Sequence, residues 1–200
     1  MKVTVKFVPD SDIFNPAGDA GYMDNNWRLI SFNNRHISYE NHEKYTNPDI
    51  GLRRKLEVGT AFYVDYFEHG DCKWSLSGTG PNCQWDTSRM AGIIIFDNVK
   101  DMGAKTLEDR AKDAANFLQI YTDWSNGHGH GYVIQDEDGN DLDSCFGFYD
   151  SEIEYTVSEI VSALDWLTKE HGALEVSLQN NLVYSPNMDK IRNYGKVLTF

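Results

Sequence analysis

The sequence predicts an α+β fold, in which two amphipathic helices pack on one face of an antiparallel β-sheet. Short segments in which apolar and polar residues alternate recur along the chain, and turn-forming residues join them as in β-hairpins. Two longer segments carry apolar residues at helical spacing. Each such helix has one face to bury, and a sheet provides the surface for it.

Five strands are expected before the first helix. In the first, Val3, Val5 and Phe7 alternate with polar residues, which is typical of a half-buried strand. Residues 68–71 read as a hairpin turn between two strands. The run 90–96 (MAGIIIF) is apolar without alternation and suits a central strand. The five segments are 2–7, 27–32, 60–67, 73–77 and 90–96.

The first helix is expected over 106–124. Thr106 can cap its start, with Asp109 three residues later in a near-equivalent of the capping box, and Asn126-Gly127 ends it. Its apolar stripe comprises Leu107, Ala111, Ala114, Ala115, Leu118 and Tyr121.

A hairpin and a second helix follow. Strands over 130–135 and 142–149 flank Asp138-Gly139, a dipeptide that favours tight hairpin turns. Ser151 and Glu154 form a capping-box pattern, which predicts a helix that starts at Ser151 and stops at Gly172. A last strand is expected over 173–178.

The chain is expected to form a single domain over residues 1–200, because 200 residues suffice for one sizeable core. Within it, 1–58 is predicted to be loop-rich, 59–178 to form the α+β core and 179–200 to be a polar tail. The polar segment 33–52 is typical of a loop, a lid or a binding loop.

The acidic residues are concentrated in one segment. The chain has 31 acidic and 18 basic residues, for a net charge of −13. Residues 101–175 hold 17 of the acids and 4 of the basic residues, whereas the remainder has 14 of each. This balance argues against direct nucleic-acid binding, because phosphate contacts need Lys and Arg. It is consistent either with a solvated, solubilising surface or with a surface that binds a basic partner.

No metal or cofactor site is expected. Residues 136–143 are rich in Asp, but they lack the glycine and the bidentate glutamate that an EF-hand requires at its sixth and twelfth positions. His69 and Cys72 have the spacing of half a zinc site, without a second close pair. Cys83 and Cys145 are expected to be buried structural thiols.

Two aspartates next to apolar residues have two interpretations. Asp86 and Asp143 would be either acids with a raised pKa or, more commonly, turn-capping groups.

The odd number of cysteines favours reduced thiols. The sequence has no apolar run of transmembrane length and no signal-peptide pattern, so a soluble protein of the cytoplasm is expected, without membrane binding.

Two motifs resemble a family of uncharacterised small acidic proteins encoded by bacteriophages and prophages. The first is Ser77-x5-Cys83-x-Trp85-Asp86-Thr87. The second runs from Asn126-Gly127-x3-Gly131-Tyr132-Val133 to Asp143-Ser144-Cys145-Phe146-Gly147-Phe148-Tyr149. The resemblance covers about residues 63–150 and implies a phage context and the cytoplasm of a bacterial host. It implies no established activity and no catalytic residue.

The main functional hypothesis is a phage accessory protein that inhibits a host defence. Its acidic surface would imitate DNA and occupy the basic surface of a host nucleic-acid-handling protein. The residues expected to bind this partner are Asp136, Glu137, Asp138, Asp141, Glu152, Glu154 and Glu159.

The sequence is also compatible with two other functions. A small-molecule binder, for example of a signalling nucleotide, would stack a base on Trp27, Trp74, Trp85 or the aromatic residues near Phe146. Its phosphates would be met by Arg28, Arg35, Arg53, Arg54, Lys55 or Arg89. An enzyme is the second alternative, but no catalytic motif supports it.

Overall fold

A computed structural model describes residues 1–16, 27–36, 38–97, 102–180 and 188–195. These residues form eight strands and five α-helices. The strands are β1 (Lys2–Pro9), β2 (Trp27–Ser31), β3 (Ala61–His69), β4 (Asp71–Leu76), β5 (Thr87–Phe96), β6 (Gly129–Asp136), β7 (Asp141–Tyr149) and β8 (Glu175–Gln179). The helices are α1 (Glu43–Thr46), α2 (Ile50–Val58), α3 (Leu107–Asn126), α4 (Ile153–His171) and α5 (Met188–Arg192).

The α+β class is confirmed, but the expected single sheet is wrong. The strands form two four-stranded sheets, with the orders β7-β6-β1-β8 and β2-β5-β3-β4. The two long helices do not share a face, because α4 packs on the first sheet and α3 on the second. The periodicity of a helix shows which of its faces is apolar, but not which sheet that face covers.

The chain folds into two compact units, residues 1–14 with 127–200, and residues 15–126. In the first unit, β1 pairs antiparallel with β6 and parallel with β8, so its sheet is mixed. Val3, Val5 and Phe7 face α4, as the alternation predicts, and meet Ile160 and Leu164 of that helix in the core.

The sheet of the second unit is antiparallel throughout and covered on both faces. Its central strand β5 places Ile94 and Phe96 against α3, and Ile93 and Ile95 in a separate cluster with Tyr45 of α1. Burial on both faces explains the continuous apolar run. The segments predicted as loops contain α1 and α2, which are short and mostly polar.

The predicted start of α3 is confirmed. The Thr106 hydroxyl accepts a hydrogen bond from the Asp109 amide at 3.0 Å, and the Asp109 carboxylate accepts one from the Thr106 amide at 3.3 Å. This reciprocal pair satisfies amides that the first helical turn leaves free. The hydrogen bonds of Thr106 also hold the pKa of Asp109 below its usual range.

A buried carboxylate fixes an irregularity in the second sheet. The pairing of β3 with β5 shifts between Val64 and Tyr66, and Asp65 at this bulge is 1% exposed. Asp65 accepts hydrogen bonds from the Ser77 hydroxyl at 2.7 Å, the Gly78 amide at 2.8 Å and the Met90 amide at 2.9 Å. Arg89 pairs with the same carboxylate. Burial opposes ionisation of Asp65, but these donors outweigh it and lower its pKa.

Among the described residues, no helix combines the length and the apolar composition that a membrane span needs.

Candidate functional site

Most of the excess negative charge belongs to the first unit. That unit has 15 acidic and 6 basic residues, for a net charge of −9, whereas the second has 16 and 12, for −4. All seven acidic residues predicted to bind a partner belong to the first unit. Four lie in the β6–β7 hairpin and three at the start of α4.

Two of the hairpin acids hold the turn together. The Asp136 carboxylate accepts hydrogen bonds from the Asn140 amide at 2.8 Å, the Asn140 side-chain Nδ2 at 2.8 Å and the Asp138 amide at 2.9 Å. The side chain of Asn140 contributes most to lowering the pKa of Asp136. Asp141 accepts from Gln135 Nε2 at 2.7 Å. These carboxylates shape the turn, and the exposed Glu137 and Asp138 are presented to solvent.

The other three acids lie where β7 continues into α4. The helix does not begin at Ser151 as predicted, because residues 150–152 form a 3₁₀ turn and α4 starts at Ile153. Glu152 occupies the cap position and its side chain makes no capping hydrogen bond. Glu154 is exposed and Glu159 is half-buried.

Glu159 lies near two tyrosine hydroxyls. Tyr132 donates its hydroxyl to Asp143 Oδ2 at 3.0 Å. Burial, the Asp143 hydrogen bond and the nearby charges, including Glu159, raise the pKa of Tyr132. The charge of Glu159 is also the main cause that raises the pKa of Tyr155. Asp143 and Glu159 therefore form one negative region where β7 meets α4.

Two large aromatic side chains are exposed on the same helix. Tyr155 is 58% exposed and Trp166 is 55% exposed. Together with Glu159 and Ser162 they are spaced i, i+4, i+7 and i+11, so all four lie on one stripe of α4. The Tyr155 ring also contacts the Phe148 ring of β7, with centroids 6.0 Å apart. This stripe was missed in the sequence, although its helical spacing is visible there.

We call the resulting surface the acidic edge. It comprises exposed or half-buried residues of the β6–β7 turn, of β7, which is the edge strand of its sheet, and of α4. Its residues are Glu137, Asp138, Asp143, Glu154, Tyr155, Glu159 and Trp166.

Two buried residues, His130 and Thr156, and the partly exposed Asp150 form a hydrogen-bonded cluster at the start of α4. His130 is fully buried, with Nδ1 3.0 Å from Asp150 Oδ1 and Nε2 3.0 Å from Thr156 Oγ1. The order of these contacts resembles a catalytic triad, but Thr156 is also fully buried, so a substrate cannot reach its hydroxyl. The cluster ties β6 to α4.

The motif around Cys83 forms a braced loop in the second unit. Thr87 Oγ1 donates to the Pro81 carbonyl at 3.0 Å and accepts from the Cys83 amide at 3.0 Å. Asp86 Oδ2 lies 3.1 Å from the Cys83 thiol and 3.3 Å from His69 Nδ1. Cys83 is half-buried, and Cys145 is exposed, so the expectation that Cys145 is buried is wrong. All three cysteines, Cys72, Cys83 and Cys145, are free thiols.

The residues suggested for a nucleotide site do not come together. Trp27 and Trp74 are each 2% exposed and belong to the core, whereas Trp85 is 85% exposed. Three of the arginines are already paired: Arg28 with Asp97 and Glu40, Arg35 with Glu68, and Arg89 with Asp65. Within the described ranges, no three His, Cys, Asp or Glu side chains are grouped so that they could hold a metal ion.

Comparisons of the chain with protein-family models, with curated proteins and with solved structures find no match.

Proposed function

We propose that the protein binds a basic partner protein through the acidic edge. The observation that carries this proposal is the pairing of Tyr155 and Trp166, both exposed, with Glu159 on one stripe of α4. Acidic residues alone are commonly only solvated. Protein interfaces, however, combine central aromatic anchors with a polar rim, and this combination supports a binding role.

The dimensions of the stripe fit a protein surface. Tyr155 and Trp166 are eleven helical residues apart, which places their Cα atoms about 16 Å from one another. Two anchors at this separation lie within the width of a standard interface. Glu159 and Glu152 add negative charge next to the first anchor.

The concentration of acids in one unit supports a partner that otherwise binds nucleic acid. Four of the seven predicted carboxylates lie at the turn end of β7, and Glu152 and Glu154 follow its other end, about 27 Å away for nine strand residues. A DNA strand carries phosphates over the same length, one about every 3.4 Å. We propose that they substitute for the phosphates of one strand.

The more specific proposal is a phage accessory inhibitor of a host nucleic-acid-handling protein. It rests on the phage-like motifs together with this charge distribution. The acids of the acidic edge lie in the β6–β7 hairpin and in the adjoining α4 of one unit, so a single partner face can meet them. Each exposed charge contributes weakly, and binding is expected to depend on several of them together.

The test is capture of proteins from a bacterial host lysate by the tagged chain. Two variants, each with four acids neutralised, have the same net charge of −9. The surface variant is Glu137→Gln, Asp138→Asn, Glu154→Gln and Glu159→Gln, and the control variant in the other unit is Glu43→Gln, Glu57→Gln, Asp71→Asn and Glu108→Gln. The wild type and the control are expected to retain a basic protein that duplex DNA displaces, and the surface variant to lose it.

A further variant distinguishes the contribution of the two aromatic side chains from that of the carboxylates. Tyr155→Ala with Trp166→Ala keeps every carboxylate, and we expect it to bind the same protein at least tenfold more weakly. The proposal is contradicted if the surface variant retains the same proteins as the control, or if duplex DNA displaces none of them.

A further inference from the structure

We propose that the second unit contains a binding pocket for an uncharged nucleobase, separate from the acidic edge. A cavity of about 450 Å³ opens between the segment that follows β2 and the strands β3 and β5. Its volume lies within the usual range for small-molecule sites. Three aromatic rings line it, those of Phe32, Tyr39 and Tyr66.

Two of the rings are held rigidly. Phe32 stacks on Tyr45 with centroids 5.7 Å apart and an interplanar angle of 22°. Tyr66 packs on Trp74 at 4.7 Å, and its hydroxyl donates to Glu68 Oε2 at 3.0 Å. Because these walls are set by packing outside the cavity, little ordering is needed when a ligand enters.

The third ring offers a movable surface. Tyr39 is 49% exposed, and its amide donates to the His36 carbonyl at 3.1 Å. The backbone of Tyr39 is thereby fixed while the ring remains available to cover a ligand. Aromatic rings bind flat heterocycles through their faces, and a base stacks in the same way whatever its identity.

Polar groups with unused hydrogen-bonding capacity also line the cavity. The side chains of Asn34, His42 and Ser88 have no hydrogen-bond partner among the residues that the structure describes. An amide, an imidazole and a hydroxyl together offer both donors and acceptors. Such groups match the edge of a nucleobase, which presents donors and acceptors side by side.

The described lining of the cavity offers no charged side chain for a phosphate group. None of the described residues that line it is Lys, Arg, Asp or Glu. The nearby Arg35 is already paired with Glu68 at 2.9 Å. Recognition of a phosphate needs a cation or a set of backbone amides, so a nucleoside or a free base is expected to bind at least as well as its 5′-monophosphate.

The experiment uses the whole chain with adenosine, guanosine, cytidine and uridine, and with ribose as a probe for the sugar alone. Calorimetry measures affinity, and the indole N–H resonance of Trp74 reports the site. That N–H is buried without a hydrogen-bond partner among the described residues, and its ring packs on Tyr66. At least one nucleoside is expected to bind and to shift this resonance, ribose is not, and the matching 5′-monophosphate is expected to gain no affinity.

Substitutions of residues that line the cavity test whether the nucleoside binds there. Tyr39→Ala is expected to weaken nucleoside binding tenfold or more, and Tyr39→Phe to change it less than about threefold, because the ring face is kept. Trp85→Ala removes an exposed aromatic side chain that does not line the cavity and is expected to have no effect. The proposal is overturned if none of the nucleosides binds, if ribose binds as tightly, or if binding survives both Tyr39→Ala and Asn34→Ala.

Discussion

His130 and Thr156 are hydrogen-bonded in the interior of the first unit, with Nε2 of the imidazole 3.0 Å from the hydroxyl Oγ1. Both residues are fully buried. The hydroxyl can serve the ring as a donor or as an acceptor, and it also lies 3.4 Å from the Glu152 carbonyl. This contact joins β6 to the first turn of α4, the helix that carries the exposed aromatic stripe.

Replacement of Thr156 with valine is expected to destabilise the protein by about 1–3 kcal/mol. Valine keeps the shape but leaves the buried Nε2 of His130 without its partner. Urea denaturation measures the change in free energy of unfolding. Ser162→Ala, at an exposed position of the same helix, is the control and should change it by less than about 0.5 kcal/mol. Equal stability of the two variants would contradict the structural role assigned to this contact.

Asp65→Asn is expected to lower stability at pH 7 by about 2–4 kcal/mol, because it removes a buried charge that Arg89 and three other donors stabilise. The folded pKa of Asp65 is lowered, so its contribution is complete above the unfolded pKa of about 3.9 and is lost as the pH falls through the folded value.

The difference between the wild type and Asp65→Asn should therefore shrink below about pH 4. Urea denaturation at pH 7 and at successively lower pH measures it. Asp97→Asn removes an exposed carboxylate paired with Arg28 and should cost less than about 1 kcal/mol. A wild-type advantage that stays constant down to pH 2 would show that ionisation of Asp65 is not its source.

Gly131→Ala is expected to destabilise the first unit by about 1–3 kcal/mol. A Cβ atom at this position would lie 2.3 Å from Cδ1 of the Phe146 ring and 2.7 Å from the Cys145 carbonyl oxygen. Gly131 and Phe146 belong to the second phage-like motif, so this contact gives part of that motif a packing role.

Thermal or urea unfolding of Gly131→Ala tests this role. Gly103→Ala is the control, since nothing lies within 4 Å of a Cβ atom there. Adding Phe146→Ala to Gly131→Ala should restore part of the loss, because one of the two close contacts disappears. Lack of any loss in Gly131→Ala would mean that β6 and β7 adjust to the added methyl group.

The local elements could be predicted from the sequence because their signals are local. Thr106 and Asp109 mark the start of α3, and Asp138-Gly139 lies in the turn between β6 and β7, with Gly139 at a φ of +84°. The start of α4 was misplaced, because a 3₁₀ turn at 150–152 precedes it and Ser151 lies inside that turn.

The assembly of the elements could not be predicted, because it depends on distant pairing. β1 pairs in parallel with β8, about 170 residues away in the sequence. The residue pattern of neither strand predicts which strand it pairs with. Trp27 appeared suited to stack on a ligand, but its ring is buried against Phe96 and its Nε1 donates to Asp113 at 2.8 Å. The sequence predicted acidic residues of the acidic edge as a binding surface. The exposed aromatic residues on the same surface, Tyr155 and Trp166, were found only in the structure.

The salt dependence of partner binding tests the central claim most directly. For the captured basic protein, the slope of log Kd against log salt concentration reports how many charges the interface pairs. We expect a steep slope for the wild type and for the control variant altered at Glu43, Glu57, Asp71 and Glu108. The variant altered at Glu137, Asp138, Glu154 and Glu159 should bind more weakly and with a shallower slope. Identical affinity and slope for the two variants would contradict the assignment of the acidic edge as the binding surface.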